Sequence, residues 1–149
     1  MTRSTFEYEE ERNDDLLRAF YERCQATPEA HVSTIVSDTV RMPSERFYVS
    51  DERAARVVSA LMQGRDYPKM LSTHREMYAE ILRRVLHLRS EHPDWCVLQL
   101  VREVLRSPAP QFYLTPSSAY TIIQRHRHRR GRRKEEQMRQ RASRMGRET

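Results

Sequence analysis

Glycine is scarce in this chain of 149 residues, which contains only three. That scarcity disfavours turn-rich β architectures and leaves helices as the expected element. Long apolar runs are absent as well. Nothing approaches the roughly 18 residues of a membrane-spanning helix, and the polar start MTRSTFEYEEER lacks the apolar core of a signal peptide. A cytoplasmic protein with no membrane partner is expected.

Cysteine is limited to Cys24 and Cys96, which form no CxxC pair and sit in helical patterns. A lone cysteine there is expected to act as a small buried hydrophobe. The chain has no HExxH, no glycine-rich phosphate loop and no GxSxG elbow. His31, His74, His87 and His92 are scattered. His126 and His128 in HRHRR stand two apart, so they diverge on a helix, and the neighbouring arginines repel a metal cation. The acidic EYEEER (7–12) spreads around a helix as a solvated face. No enzyme activity, cofactor or metal is expected.

What is present is 38% hydrophobic and 32% charged, enough for a modest core. RFYVS (46–50) and QFYLT (111–115) stand 65 residues apart, and the match extends both ways without a gap. Pro28, Val32, Val36 and Arg41 meet Pro93, Val97, Val101 and Arg106, and Leu17, Arg18 and Ala54 meet Leu82, Arg83 and Ala119. Between 13–58 and 78–123, ten of 46 pairs are identical. Chance would give about three, so an internal repeat is inferred.

Each copy reads as three helices. The first is amphipathic, through Leu16, Leu17, Phe20, Tyr21 and Cys24 or Ile81, Leu82, Val85 and Leu86, and ends near Ala26 or Glu91. Thr27-Pro28-Glu29 and His92-Pro93-Asp94 are expected to open the second. It buries Val32, Ile35, Val36 and Val40, or Val97, Leu100, Val101 and Leu105, and closes at Pro43 or Pro108. The FYV and FYL segments are expected to be extended connectors with inward aromatics. Ser50 and Thr115 cap the third helix, which ends near Gly64 in copy one and at Gly131 in copy two. Ser72 or Thr73 is expected to cap the first helix of copy two.

The fold class is therefore all-α, a tandem duplication of a three-helix unit followed by a basic C-terminal tail, helical or disordered. The expected divisions are a first repeat over 1–63, a linker over 64–71, a second repeat over 72–130 and a tail over 131–149. At the level of the three-helix unit each copy resembles a helix-turn-helix protein, although the connector from Arg41 to Ser50 is longer than the usual turn.

Charge is uneven. The net charge of +6 divides into 16 Lys/Arg against 18 Asp/Glu over 1–123 and 11 against 3 over 124–149. The body is thus −2 and the end of the chain +8. Arg125, Arg127, Arg129, Arg130, Arg132, Arg133 and Lys134 place seven cations within ten residues, and that density calls for a polyanion. Arginine suits forked hydrogen bonds to phosphate.

A third helix burying Ala119, Ile122 and Ile123 would carry Arg125, His128 and Arg129 outward, as a recognition helix does. Ser117, Ser118, Thr121, Gln124 and Arg125 are the expected contact face, with Arg127, His128 and the following cations holding phosphate. Copy one carries Asp51 and Glu52 where copy two has Pro116 and Ser117, so copy two is expected to bind while copy one supports it or meets a protein. The leading expectation is a non-catalytic DNA-binding protein, with RNA as another possible target. The alternative is an interaction or assembly module whose basic tail touches RNA or an acidic partner.

Overall fold

The computed structural model describes residues 5–147, except for the side chains of residues 5–7, 130–132, 134 and 147. The described chain is all-helical: α1 (Thr5–Ala26), α2 (Val32–Val40), α3 (Asp51–Met62), α4 (Ser72–Glu91), α5 (Val97–Leu105) and α6 (Pro116–Arg147).

Side-chain caps set several of these starts. Ser50 Oγ accepts the Arg53 N–H at 3.2 Å to open α3, and Thr115 Oγ1 accepts the Ser118 N–H at 3.2 Å to open α6. Gly64, at φ +80°, supplies the left-handed residue just beyond α3. Thr27-Pro28 does not open α2. Thr27 instead closes α1, its hydroxyl donating to the Arg23 carbonyl at 2.8 Å, and the Ala30 N–H closes a turn on Thr27 at 3.1 Å. The chain then restarts at His31, whose Nδ1 accepts the Ser33 N–H. His92 likewise ends α4, and Trp95 closes a turn on it. Prolines at 28 and 93 suit the first position of a turn as well as that of a helix. At α4 the N-cap position is Leu71, without a side-chain cap, and Cys96 occupies the exposed N-cap position of α5 instead of a core position.

The two connectors meet. Ser44 and Ala109 form an isolated antiparallel bridge, each donating its N–H to the other's carbonyl at 3.1 and 3.0 Å. On either side Phe47 donates to the Leu105 carbonyl and Phe112 to the Val40 carbonyl. These partners exchange under a shift of 65.

The chain beyond this crossing places α3 and α6 in separate cores. One core joins α3 to α4 and α5, with Phe47, Val57 and Val58 packed among Ile81, Val85, Leu100, Val101 and Leu105. The other joins α6 to α1 and α2, with Phe112, Ala119 and Ile123 among Leu16, Phe20, Ile35 and Val36. The expected units over 1–63 and 72–130 therefore do not pack as self-contained bundles. The connectors, expected to be extended, are bent instead: the Val49 N–H closes a turn on the Phe47 carbonyl at 3.1 Å and Tyr113 adopts φ +56°, and each connector carries its helix across the bridge without folding it back. Periodicity specifies the buried face of a helix and leaves its partner open.

Hydrophobic burial holds this arrangement. Phe20, Phe47 and Phe112 are 2%, 1% and 5% exposed, and each contributes about 2–3 kcal/mol over an exposed ring. The buried Thr39 hydroxyl is satisfied by the Ile35 carbonyl at 2.6 Å.

Candidate nucleic-acid interface

Helix α6 is 32 residues long, about 48 Å at 1.5 Å per residue. Its first two turns are held by the body, where Ala119 and Ile123 are fully buried and Ile122 is half-buried. From Arg127 to Gly146 every described side chain is exposed. Gly131 does not stop the helix. A mid-helix glycine costs only about 1 kcal/mol, and the residues after it are strong helix formers: Arg, Lys, Glu, Gln, Met and Ala.

Ser117, Ser118, Thr121, Arg125, Arg127, His128, Arg129 and Arg133 are exposed. Gln124 is half-buried, because it flanks Ile123 on the packed side. Arg130, Arg132 and Lys134 lie within the helix, and their side chains fall outside the described ones. Local bonds occupy the hydroxyls of the first turn: Ser118 Oγ meets Thr115 Oγ1 at 3.0 Å, and Thr121 donates to the Ser117 carbonyl at 3.2 Å. Each retains acceptor capacity toward a ligand.

Successive residues advance by about 100° around a helix, and the described cations of this stretch, Arg125, Arg127, Arg129 and Arg133, are all exposed. Arg139, Arg141 and Arg144, exposed along the same helix, extend this surface beyond the expected face. Their charge was readable in the sequence; the continuity of the helix through Gly131 was not.

The matching end of α3 is arranged differently. Asp51 is bridged by Arg102 of α5 at 3.3 Å, and Arg53, which occupies the position of Ser118, donates from Nε to the Tyr78 hydroxyl at 3.2 Å. Its first turn is thus tied to α4 and α5. The chain matches no family model, no curated protein and no solved structure.

A second polar cluster sits where the first connector meets α1. The buried Asp15 carboxylate accepts from the Tyr48 hydroxyl at 2.6 Å, the Glu45 N–H at 2.9 Å and the Arg18 guanidinium. Burial and this hydrogen bond push the Tyr48 phenol far above its usual pKa. Such saturation of a carboxylate fastens the connector to the helix. Among the described residues no group of three His, Cys, Asp or Glu side chains is placed to hold a metal. No described helix is long and apolar enough to cross a membrane.

Proposed function

We propose that the chain is a duplicated three-helix unit whose third helices have exchanged places, and that it binds DNA without catalysis. The carrying observation is α6, anchored in the body over two turns and extended beyond it as an exposed, arginine-dense helix. The duplication rests on the ungapped 65-residue match together with helix starts and ends offset by the same 65 residues: 26 and 91, 32 and 97, 40 and 105, 51 and 116.

In this reading the cations of 125–134 hold phosphates on both sides of a groove while Ser117, Ser118 and Thr121 face the duplex nearest the body. This is closer to a continuous basic helix than to the short reading helix of a helix-turn-helix unit. The first copy serves as scaffold, since its corresponding helix is engaged by α4 and α5. Structured RNA offers the same phosphate chemistry. Against the alternative of an assembly module, among the described residues Val32 is exposed where Val97 is half-buried, and Leu86 where Tyr21 is half-buried.

A mobility-shift series with duplex DNA, single-stranded DNA and structured RNA at several salt concentrations tests the proposal. Tightest binding to duplex is expected, with affinity falling steeply as salt rises. Removal of residues 131–149 should flatten the log–log slope by about 0.9 for each duplex phosphate that the shortened chain no longer neutralises. Absence of binding to all three, or a slope unchanged by the truncation, overturns it.

A further inference from the structure

Away from α6, a cavity of about 230 Å³ opens among the first turns of α1, α3 and α4. Three side chains able to carry positive charge enter its lining from three different helices: Arg12, Arg53 and His74. Tyr8, whose ring also meets the Arg46 guanidinium at 5.1 Å, and Tyr78 contribute to the lining, and Glu9 is the one carboxylate among the described lining residues.

These cations face one another. The His74 imidazole is held below its ordinary pKa, first by burial and then by the charges of Arg53 and Arg12. Burial also lowers the pKa of Arg12, with Glu9 acting in the opposite sense. Arg12 reaches the Asn13 carboxamide at 3.2 and 3.3 Å, and Arg53 uses Nε on Tyr78. Each guanidinium has five N–H donors, so these bonds fix the forks while leaving donors over. Gathering like charges around one cavity is unfavourable by itself and becomes favourable when an anion enters.

We infer that this cavity binds a phosphomonoester, with the Arg12 and Arg53 forks on its oxygens, His74 as a third donor and a tyrosine ring against the group that carries the phosphate. A terminal phosphate fits because it enters end-on and its dianion matches two permanent cations. The volume leaves room for a sugar-sized group beside it. A free nucleotide and the phosphorylated end of a nucleic acid share this chemistry. The site stands independently of whether α6 binds DNA.

Binding then takes up a proton. His74 is faced by Glu9 and Arg12 from α1, by Arg53 from α3 and, across an adjoining cavity, by Asp66 and Lys69 of the 64–71 loop. Asp66 is itself paired with Arg75 at 3.5 Å. The balance around the ring is positive, so an incoming dianion raises the His74 pKa, and affinity increases as pH falls toward the second phosphate pKa of about 6.

The test uses the full chain and imidazole NMR, with His74 assigned by the signal that disappears in His74→Gln. The probes are inorganic phosphate, adenosine monophosphate, adenosine, and a trinucleotide with either a 5′-phosphate or a 5′-hydroxyl. The His74 pKa should rise by roughly one unit with the phosphorylated probes and stay fixed with adenosine and the 5′-hydroxyl trinucleotide. A response to the monophosphate alone assigns a free nucleotide, and a response to the 5′-phosphate trinucleotide alone assigns a nucleic-acid end. Arg53→Met, at an exposed position, should weaken the binding at least about tenfold with unchanged helicity. Should that variant lose helicity, Arg12→Lys serves instead, keeping the charge while removing the fork, and should weaken binding severalfold. No His74 shift with any phosphorylated probe, or an equal shift with their unphosphorylated counterparts, overturns the inference.

Discussion

Tyr48 donates its phenolic hydrogen to the buried Asp15 carboxylate at 2.6 Å, joining the first connector to α1. Asp15 also accepts the Glu45 N–H, so one carboxylate anchors both a side chain and the backbone beside it. Tyr48→Phe should cost about 1–3 kcal/mol, the range for a hydrogen bond to a charged group. Asp15→Ala should cost more, because it leaves the Tyr48 hydroxyl and the Glu45 N–H without their acceptor. Urea denaturation of the two variants and the parent measures both. A Tyr48→Phe change below about 0.5 kcal/mol would show that solvent replaces the bond.

The same connectors predict an alkaline limit to stability. Burial, with a contribution from Glu80, pushes the Tyr113 phenol up to about 12, and Tyr48 is raised further still. Above the ordinary tyrosine value near 10 the unfolded chain loses these protons while the folded chain keeps them. The unfolded state then binds fewer protons, so stability falls as pH rises, by up to about 1.4 kcal/mol per pH unit for each tyrosine. For Tyr113 the loss ends near pH 12. Thermal melts of Tyr113→Phe between pH 9 and 12 should decline less steeply than those of the parent.

Packing of α3 against α4 and α5, and of α6 against α1 and α2, makes the two halves of the chain dependent on each other. A fragment over 1–65 has α1 and α2 without α6, and one over 66–149 has α4 and α5 without α3, so each lacks the helix that closes its core. Alone, each should be weakly helical or pair with a second copy of itself. An equimolar mixture should recover native circular dichroism as a 1:1 complex. Two fragments that fold separately as monomers would contradict the exchange. In the intact chain Phe112→Ala should cost about 3–5 kcal/mol, taken from the core of α1, α2 and α6.

Local features of this fold were legible because local chemistry specifies them. Ser50 and Thr115 cap the helices expected of them, and α1 and α4 end at Ala26 and Glu91, where apolar periodicity stops. Phe47 and Phe112 are buried as their spacing implied. Thr27-Pro28 misled because the same residues open a turn. The exchange of α3 and α6 was invisible, since Val57-Val58 and Ile122-Ile123 present equivalent faces to equivalent grooves. The cavity at Arg12, Arg53 and His74 joins residues from three helices with no sequence motif between them.

Gly131 interrupts the best helix formers of α6 without ending the helix. A helix that is polar all round and has little packing draws little stability from a core, so its intrinsic propensity matters. Gly131→Ala should therefore raise the helicity of the free protein and, by removing part of the ordering cost, tighten duplex binding severalfold. Circular dichroism with and without duplex DNA reports both effects. Unchanged affinity alongside increased helicity would place the DNA contact elsewhere than on residues 125–147.

The division of labour between the copies is tested at their matched first turns. Ser118 is exposed beside the N-terminus of α6, and its N–H is already satisfied by Thr115. Ser118→Glu sets a carboxylate against any approaching phosphate while suiting the positive end of the helix, so the variant should melt no lower than the parent yet bind duplex DNA more weakly. Asp51→Ser in copy one removes a charge that Arg102 already compensates at 3.3 Å. Losing a partly exposed pair of this kind costs about 0–1 kcal/mol, and the Arg102 it releases lies on α5, away from α6. Its affinity for duplex should therefore stay within about twofold of the parent, a difference under 0.5 kcal/mol. Normal binding by Ser118→Glu, or a larger change with Asp51→Ser, would move the contact away from the start of α6 and favour the assembly reading.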